Sequence, residues 1–205
     1  HTFYDQRTMQ THFLPWLKQL ISGLVLVAIG LFIAATSKLE HPYLAVAGLV
    51  VAAIGVVLVK RAAAREHGQK VERDAIRGLI AVADKWGVSI EPNVALRSGG
   101  DLDLLLTRND DARFAVEIKS HPGVLLKRSL FGASESLVRL NGKRFDRDPC
   151  EQVLEAAEEV DGTPVIWLPC AEKAKTFHLK NGVIVVQGGL RQLRQAIGAK
   201  SWWSL

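Results

Sequence analysis

The stretches G-D-L-D-L-L-L at 100–106 and F-A-V-E-I-K-S at 114–120 decide how the C-terminal part of this chain is read. With the run at 88–96, which Pro92 interrupts, they form three short apolar or alternating segments separated by Ser-Gly-Gly and Asn-Asp-Asp, a strand meander. Alternate side chains of a strand share a face, so Glu117 and Lys119 point one way while Val116 and Ile118 point into a core. Charges on an otherwise apolar central strand are costly to bury and need a reason. Asp103 lies beside Glu117 if the two strands are antiparallel neighbours. Two carboxylates and the Ile118 carbonyl then make a hard oxygen site of the kind Mg²⁺ prefers, and Lys119 next to it can orient a water and help it lose its proton. The other reading of Glu117 and Lys119 is the solvated face of an edge strand.

Outward from this pair of strands the pattern is that of one mixed sheet flanked by helices. Residues 62–86 carry apolar residues at Val71, Ala75, Ile76, Leu79, Ile80 and Ala83, a helical spacing that Gly87 ends. After a long loop at 121–148, Pro149 suits the first turn of a helix running to about Val160, with Asp148 as N-cap. Residues 163–168 read as an apolar strand, 176–179 and 183–186 as a hairpin about Lys-Asn-Gly, and 189–199 as a last helix. Cys150 and Cys170 have no partner at metal-ligand spacing, and two cysteines in 205 residues do not make a disulfide scaffold; reduced thiols are expected.

The hydrophobic content, 48%, is unevenly placed. Between Leu20 and Val59 the only charged residues are Lys38 and Glu40, so 20–35 and 43–59 are uncharged runs that, with their flanks, reach the length of membrane spans. Core helices normally keep a polar stripe, and these have none. The link at 36–42 closes an antiparallel helical hairpin. Lys60, Arg61 and Arg65 follow the second run directly, and by the positive-inside rule they place both termini and the bulk of the chain in the cytoplasm, with two spans in the cytoplasmic (inner) membrane. Trp16 and Tyr43 are placed as interfacial anchors, and the second apolar run argues against a cleaved signal peptide. Gly23, Gly30, Gly48, Ala52 and Gly55 suit close packing within the hairpin or between copies, which leaves a homo-oligomer or a larger membrane complex open. The expected division is a hairpin segment at 1–61 and a cytoplasmic domain at 62–205. Of the net charge of +5, +3 falls on 1–61 and +2 on the rest, so the domain is not a basic nucleic-acid coat and any such contact comes from local patches.

Asp, then a strand, then Glu-x-Lys resembles the PD-(D/E)xK nuclease pattern, and residues 68–197 resemble its nuclease-related (NERD) branch. The matching positions are Gly68 and Glu72 in the first helix, Gly100-Asp-Leu-Asp103, Val116-Glu-Ile-Lys119 with Ser120 and Gly123, and Gln152 in the helix begun by Asp148-Pro149. The proline that usually precedes the first Asp is absent. The resemblance implies a restriction-endonuclease-like fold, with Asp103 and Glu117 as ligands of Mg²⁺ or Mn²⁺ and Lys119 as the catalytic lysine. It further implies that Glu72 completes the acidic site, that Gln152 orients the water or a phosphate, and that the reaction is metal-assisted phosphodiester hydrolysis.

Residues 121–148 add a local excess of positive charge, from Lys127, Arg128, Arg139, Lys143, Arg144 and Arg147, suited to phosphate backbone contact that positions nucleic acid without reading its sequence, with Lys127, Arg128, Lys143 and Arg144 as the expected DNA-binding residues. An ordinary solvated loop, or one drawn to anionic lipid, has the same composition. His121 is read as a solvated loop residue. The terminal Ser-Trp-Trp-Ser-Leu suggests docking against the domain, the membrane interface or a partner subunit. Two functions follow as expectations: a membrane-anchored, metal-dependent nuclease acting on DNA, and a nuclease-like module without catalysis that binds nucleic acid or serves assembly in a membrane complex.

Overall fold

The computed structural model describes residues 6–36, 41–128 and 135–199, the side chains of 6–16 and of Arg128 excepted. Trp16, the Lys38 and Glu40 link and the Trp-Trp pair near the C-terminus therefore lie outside the described side chains. The chain divides into two compact units, His1–Gln69 and Lys70–Leu205, with the division inside a helix and eight residues beyond the boundary read from composition.

The first unit holds α1 (Gln6–Thr36) and the greater part of α2 (Pro42–Ile80). Both are long and apolar enough to cross a membrane, with stretches of mean hydropathy 2.2 and 2.5. Glycine inside a helix costs about 1 kcal/mol against alanine, so its repeated use needs a return. The return is close approach: a Cβ on Gly23 would stand 2.9 Å from the Gly55 carbonyl oxygen, and one on Gly30 would meet the backbone of Gly48 and Ala52. The glycines expected to pack either within the hairpin or between copies are therefore used inside the hairpin. The larger side chains turn outward, with Phe32 69% and Tyr43 65% exposed. Arg65 donates to Gln19 Oε1 at 2.8 Å, so the beginning of the first apolar run and the end of the second meet at one end of the hairpin.

The second unit is built on a six-stranded mixed sheet: β1 (Val88–Ala95), β2 (Asp101–Arg108), β3 (Arg113–Ile118), β6 (Thr163–Leu168), β8 (Ile184–Gln187) and β7 (Lys175–His178), in that order. β1, β2 and β3 form the antiparallel meander, while β3, β6 and β8 run parallel. One face packs Leu104, Val116, Ile118 and Trp167 against Ile76 and Leu79 of α2 and Leu193 of α5 (Leu190–Ala196). The other packs Ile166 and Leu168 against Val153, and Ala115 against Ala156 and Ala157, of α4 (Pro149–Val160). Covering on both faces is what parallel strands require, and it explains their unbroken apolar runs.

Three readings change. Pro92 does not interrupt its strand: β1 is an edge, where a residue without an N–H is tolerated. The first helix does not run to Trp86 but ends at Ile80, and α3 (Ala83–Trp86) follows, closed by Gly87 at φ +63°. Residues 80–83 are all apolar, so periodicity carries no mark of the break. Residues 121–148 are not one loop, because β4 (Val124–Arg128) and β5 (Glu135–Arg139) pair there as a separate two-stranded sheet.

Replacing Gly48 by leucine forces the hairpin helices apart, an overpacking cost of ~1–3 kcal/mol. The expected result is a lower thermal midpoint in detergent, whereas Phe32→Ala, on the outward side, leaves it unchanged.

Candidate active site

The site is assembled where the start of β2, the end of β3 and the first turns of α4 meet. β3 is central, and Glu117 is among the few buried polar residues at 9% exposure, which excludes the solvated edge-strand reading. Its partner is Lys119, whose Nζ donates to Glu117 Oε1 at 2.5 Å and reaches Gln152 Oε1 at 3.4 Å. Lys119 is held by its backbone as well, since its N–H donates to the Trp167 carbonyl at 2.8 Å and so prolongs the parallel pairing with β6. Gln152 is placed by the helix start: Asp148 accepts from the Cys150 N–H through its side chain at 2.8 Å and from the Gln152 N–H through its carbonyl at 3.2 Å.

Asp103 is brought in by a local break in strand regularity. The ladder between β1 and β2 skips the Asn93 and Asp103 pair, and Asn93 takes a left-handed φ of +52°. Leu102 and Leu104, two residues apart, consequently join different core clusters. Between them Asp103 Oδ2 accepts from the Ile118 N–H at 2.6 Å, which ties the start of β2 to the end of β3. The turn leading into β2 is anchored in turn by Glu159 of α4, which accepts from the backbone N–H groups of Arg97 and Ser98.

Burial raises the Asp103 pKa well above the usual carboxylate range, and the nearby charges of Glu117 and then Glu72 push it the same way; the Ile118 hydrogen bond and Lys119 only partly oppose them. The structure thus brings Asp103, Glu117, Lys119 and Gln152 together, with Glu72 within electrostatic reach of Asp103. Among the described residues no three His, Cys, Asp or Glu side chains form a ready-made metal cluster. The donor set nevertheless suits a hard divalent cation, because it offers carboxylate oxygens and no soft ligand, and because the mutual repulsion at Asp103 is what such a cation relieves.

The expected DNA-contact residues do not form one patch. Lys127 lies exposed toward the far end of β4, and Arg128 pairs with Glu135 at that end, its side chain outside the described residues. Lys143 and Arg144 are exposed beyond β5, past the opposite end of the ladder where Val124 pairs with Arg139. Four strand steps, ~13 Å, separate the two ends.

One positioning residue was not singled out from sequence. Gln187, buried at the end of β8, accepts from the Val124 N–H at 3.0 Å and donates to the Val124 carbonyl at 3.3 Å, pairing with β4 as a backbone would. A side chain at Gly123, which stands at φ +150°, would collide with it. The only sequence signal is a glutamine closing the apolar run Ile-Val-Val at 184–186.

No family model, curated protein or solved structure matches the chain.

Burial, assisted by Asp148, pushes the Cys150 thiol up to about 12, and Cys170 is exposed. The reactive thiolate is therefore absent from Cys150 far above neutrality. Alkylation of the native chain at pH 8 should stop at one label, on Cys170, with Cys150 modified only after unfolding.

Proposed function

We propose that this chain is a membrane-anchored, divalent-metal-dependent phosphodiesterase acting on DNA, of the PD-(D/E)xK type and its nuclease-related branch, on a restriction-endonuclease-like sheet. The observation that carries the reading is the set Asp103, Glu117, Lys119 and Gln152 at the end of a central strand, with Glu117 buried and the other three half-buried. Withdrawing two acids and a lysine from water, even in part, carries a desolvation cost that a merely structural strand would avoid with apolar residues.

Asp103 and Glu117 would hold Mg²⁺ or Mn²⁺, whose chemistry is to neutralise charge gathering on the phosphate and to lower the pKa of a water. Lys119 presents its N–H groups to the attacking water and offsets negative charge on the phosphate oxygens. Gln152, rooted in the capped first turn of α4, holds the lysine in place and offers its amide to water or phosphate. Glu72 adds negative charge behind Asp103 and so strengthens the attraction of the pair for a cation. Lys127, Arg128, Lys143 and Arg144 supply backbone contact at the two ends of the β4–β5 ladder.

The hairpin reading extends to orientation. The outward apolar side chains of α1 and α2 suit lipid, and Lys60, Arg61 and Arg65 favour the cytoplasmic side of an inner membrane for both termini. A cysteine replacing Lys38 should react with a membrane-impermeant maleimide added outside intact cells, and one replacing Arg65 should not; the opposite pattern would reverse the topology.

The site has a direct test. With the full chain in detergent, Mn²⁺ should raise the thermal midpoint in a concentration-dependent way, as a ligand specific for the native state does. Asp103→Asn and Glu117→Gln should remove both that rise and the cleavage of DNA, and Asp103→Asn should raise the midpoint of the metal-free chain by relieving repulsion. Lys119→Met should keep the Mn²⁺ response and lose cleavage. A wild-type chain indifferent to Mn²⁺ would favour the second reading, a nuclease-like module without catalysis, for which the engagement of Lys119 by Glu117 is the supporting observation.

A further inference from the structure

Beside the candidate centre lies a second constellation, made by Arg139, Phe145 and His121. Arg139 closes β5 opposite Val124, the residue that Gln187 grips on both its N–H and its carbonyl. Its own backbone is fixed by a turn: the Arg139 N–H donates to the Lys143 carbonyl at 2.9 Å, and the Gly142 N–H donates to the Arg139 carbonyl at 2.8 Å. Unlike Lys127, Lys143 and Arg144, which are exposed, Arg139 has a side chain that is only partly exposed.

Its guanidinium is held by stacking and not by hydrogen bonds. The Cζ atom lies 5.4 Å from the centroid of the Phe145 ring, and the His121 ring meets Phe145 edge-on at 5.1 Å. Among the described residues the buried Arg139 Nε finds no acceptor, and its ion partner, Asp146, is 3.7 Å away and fully exposed. A long pair with an exposed carboxylate contributes little, whereas a buried donor without an acceptor is costly. His121 follows Lys119 by two residues, and its ring lies in the fields of both Arg139 and Lys119, which with burial hold its pKa down against the opposing pull of Asp146. Arg139 and His121 thus meet on one aromatic ring, with His121 two residues beyond Lys119 in the chain.

We propose that Arg139 and His121, braced by Phe145, form a phosphate subsite next to the Asp103, Glu117 and Lys119 centre. The planar guanidinium fork matches two oxygens of one phosphate, and an oxygen drawn to its edge supplies the acceptor that its Nε–H lacks. The imidazole adds a further hydrogen bond. That the occupant is the phosphodiester adjoining the scissile one along the strand rests on the hydrolase reading above; that the subsite binds phosphate does not.

Two arms keep those statements apart, both with the full chain in an uncharged maltoside micelle. In the first, inorganic phosphate is titrated without metal while the His121 ring resonances are followed by NMR. A saturable shift is expected, lost in Arg139→Gln, partly restored in Arg139→Lys and kept in Lys85→Gln. No shift in the wild type, or an equal shift in Arg139→Gln, overturns the subsite. In the second arm, single-stranded DNA is cleaved with Mn²⁺, and Arg139→Gln should raise KM about tenfold with kcat unchanged, the effect of losing one charge-assisted contact in ground and transition states alike. If phosphate binds but no cleavage occurs, the hydrolase reading falls and the phosphate subsite stands. If cleavage proceeds with an unaltered KM in Arg139→Gln, the subsite falls and the hydrolase stands.

Discussion

The hydrogen bond from the Ile118 N–H to the Asp103 carboxylate is the constraint around which the second unit is arranged. It stands where the β1–β2 ladder skips Asp103, and it binds the entry of one strand to the exit of the next. Around it the sheet is covered on both faces, so the carboxylates of Asp103 and Glu117 stand in a medium that screens charge weakly. Each neighbouring group then acts strongly: Glu117 and Glu72 against the ionisation of Asp103, and Lys119 in its favour. Under the proposed reading, this site gives up stability of the empty domain for affinity toward a cation, a trade common where function sets the residues.

Position is transmitted to this centre by side chains that imitate backbone. Glu159 takes the N–H groups of the turn before β2, Asp148 takes those of the first turn of α4, and Gln187 pairs with Val124 as a strand residue would. The last of these roots the β4–β5 ladder at the end of β8. Arg139, opposite Val124 at that root, has its guanidinium over the Phe145 ring, which sets it apart from the exposed lysines and arginines around it.

The hairpin solves a different problem. Between two apolar helices in lipid there is little hydrophobic gain from contact, so close packing has to come from shape, and the facing glycines allow backbone to approach backbone. Larger side chains are displaced to the outside, where their exposure would be a liability in water.

Much of this was legible in the residues themselves. Uncharged runs of span length, the meander of β1 to β3, the capped helix after Asp148 and the apolar strand at 163–168 follow from charge, period and turn chemistry, all of them local properties. The pairing of Asp103, Glu117 and Lys119 was legible too, because alternation and antiparallel order leave them little choice. Other features were decided only by tertiary packing. Pro92 is accommodated because β1 happens to be an edge, and the break at Ile80 is invisible among apolar neighbours. β4 and β5 are five residues each and set among glycines, so they read as loop until Gln187, about sixty residues away, fixes one end of their ladder. The stacking of Arg139 and His121 on Phe145 has the same origin: no spacing rule links residues 121, 139 and 145, and only the packing of the ladder against α4 and β6 brings them into contact.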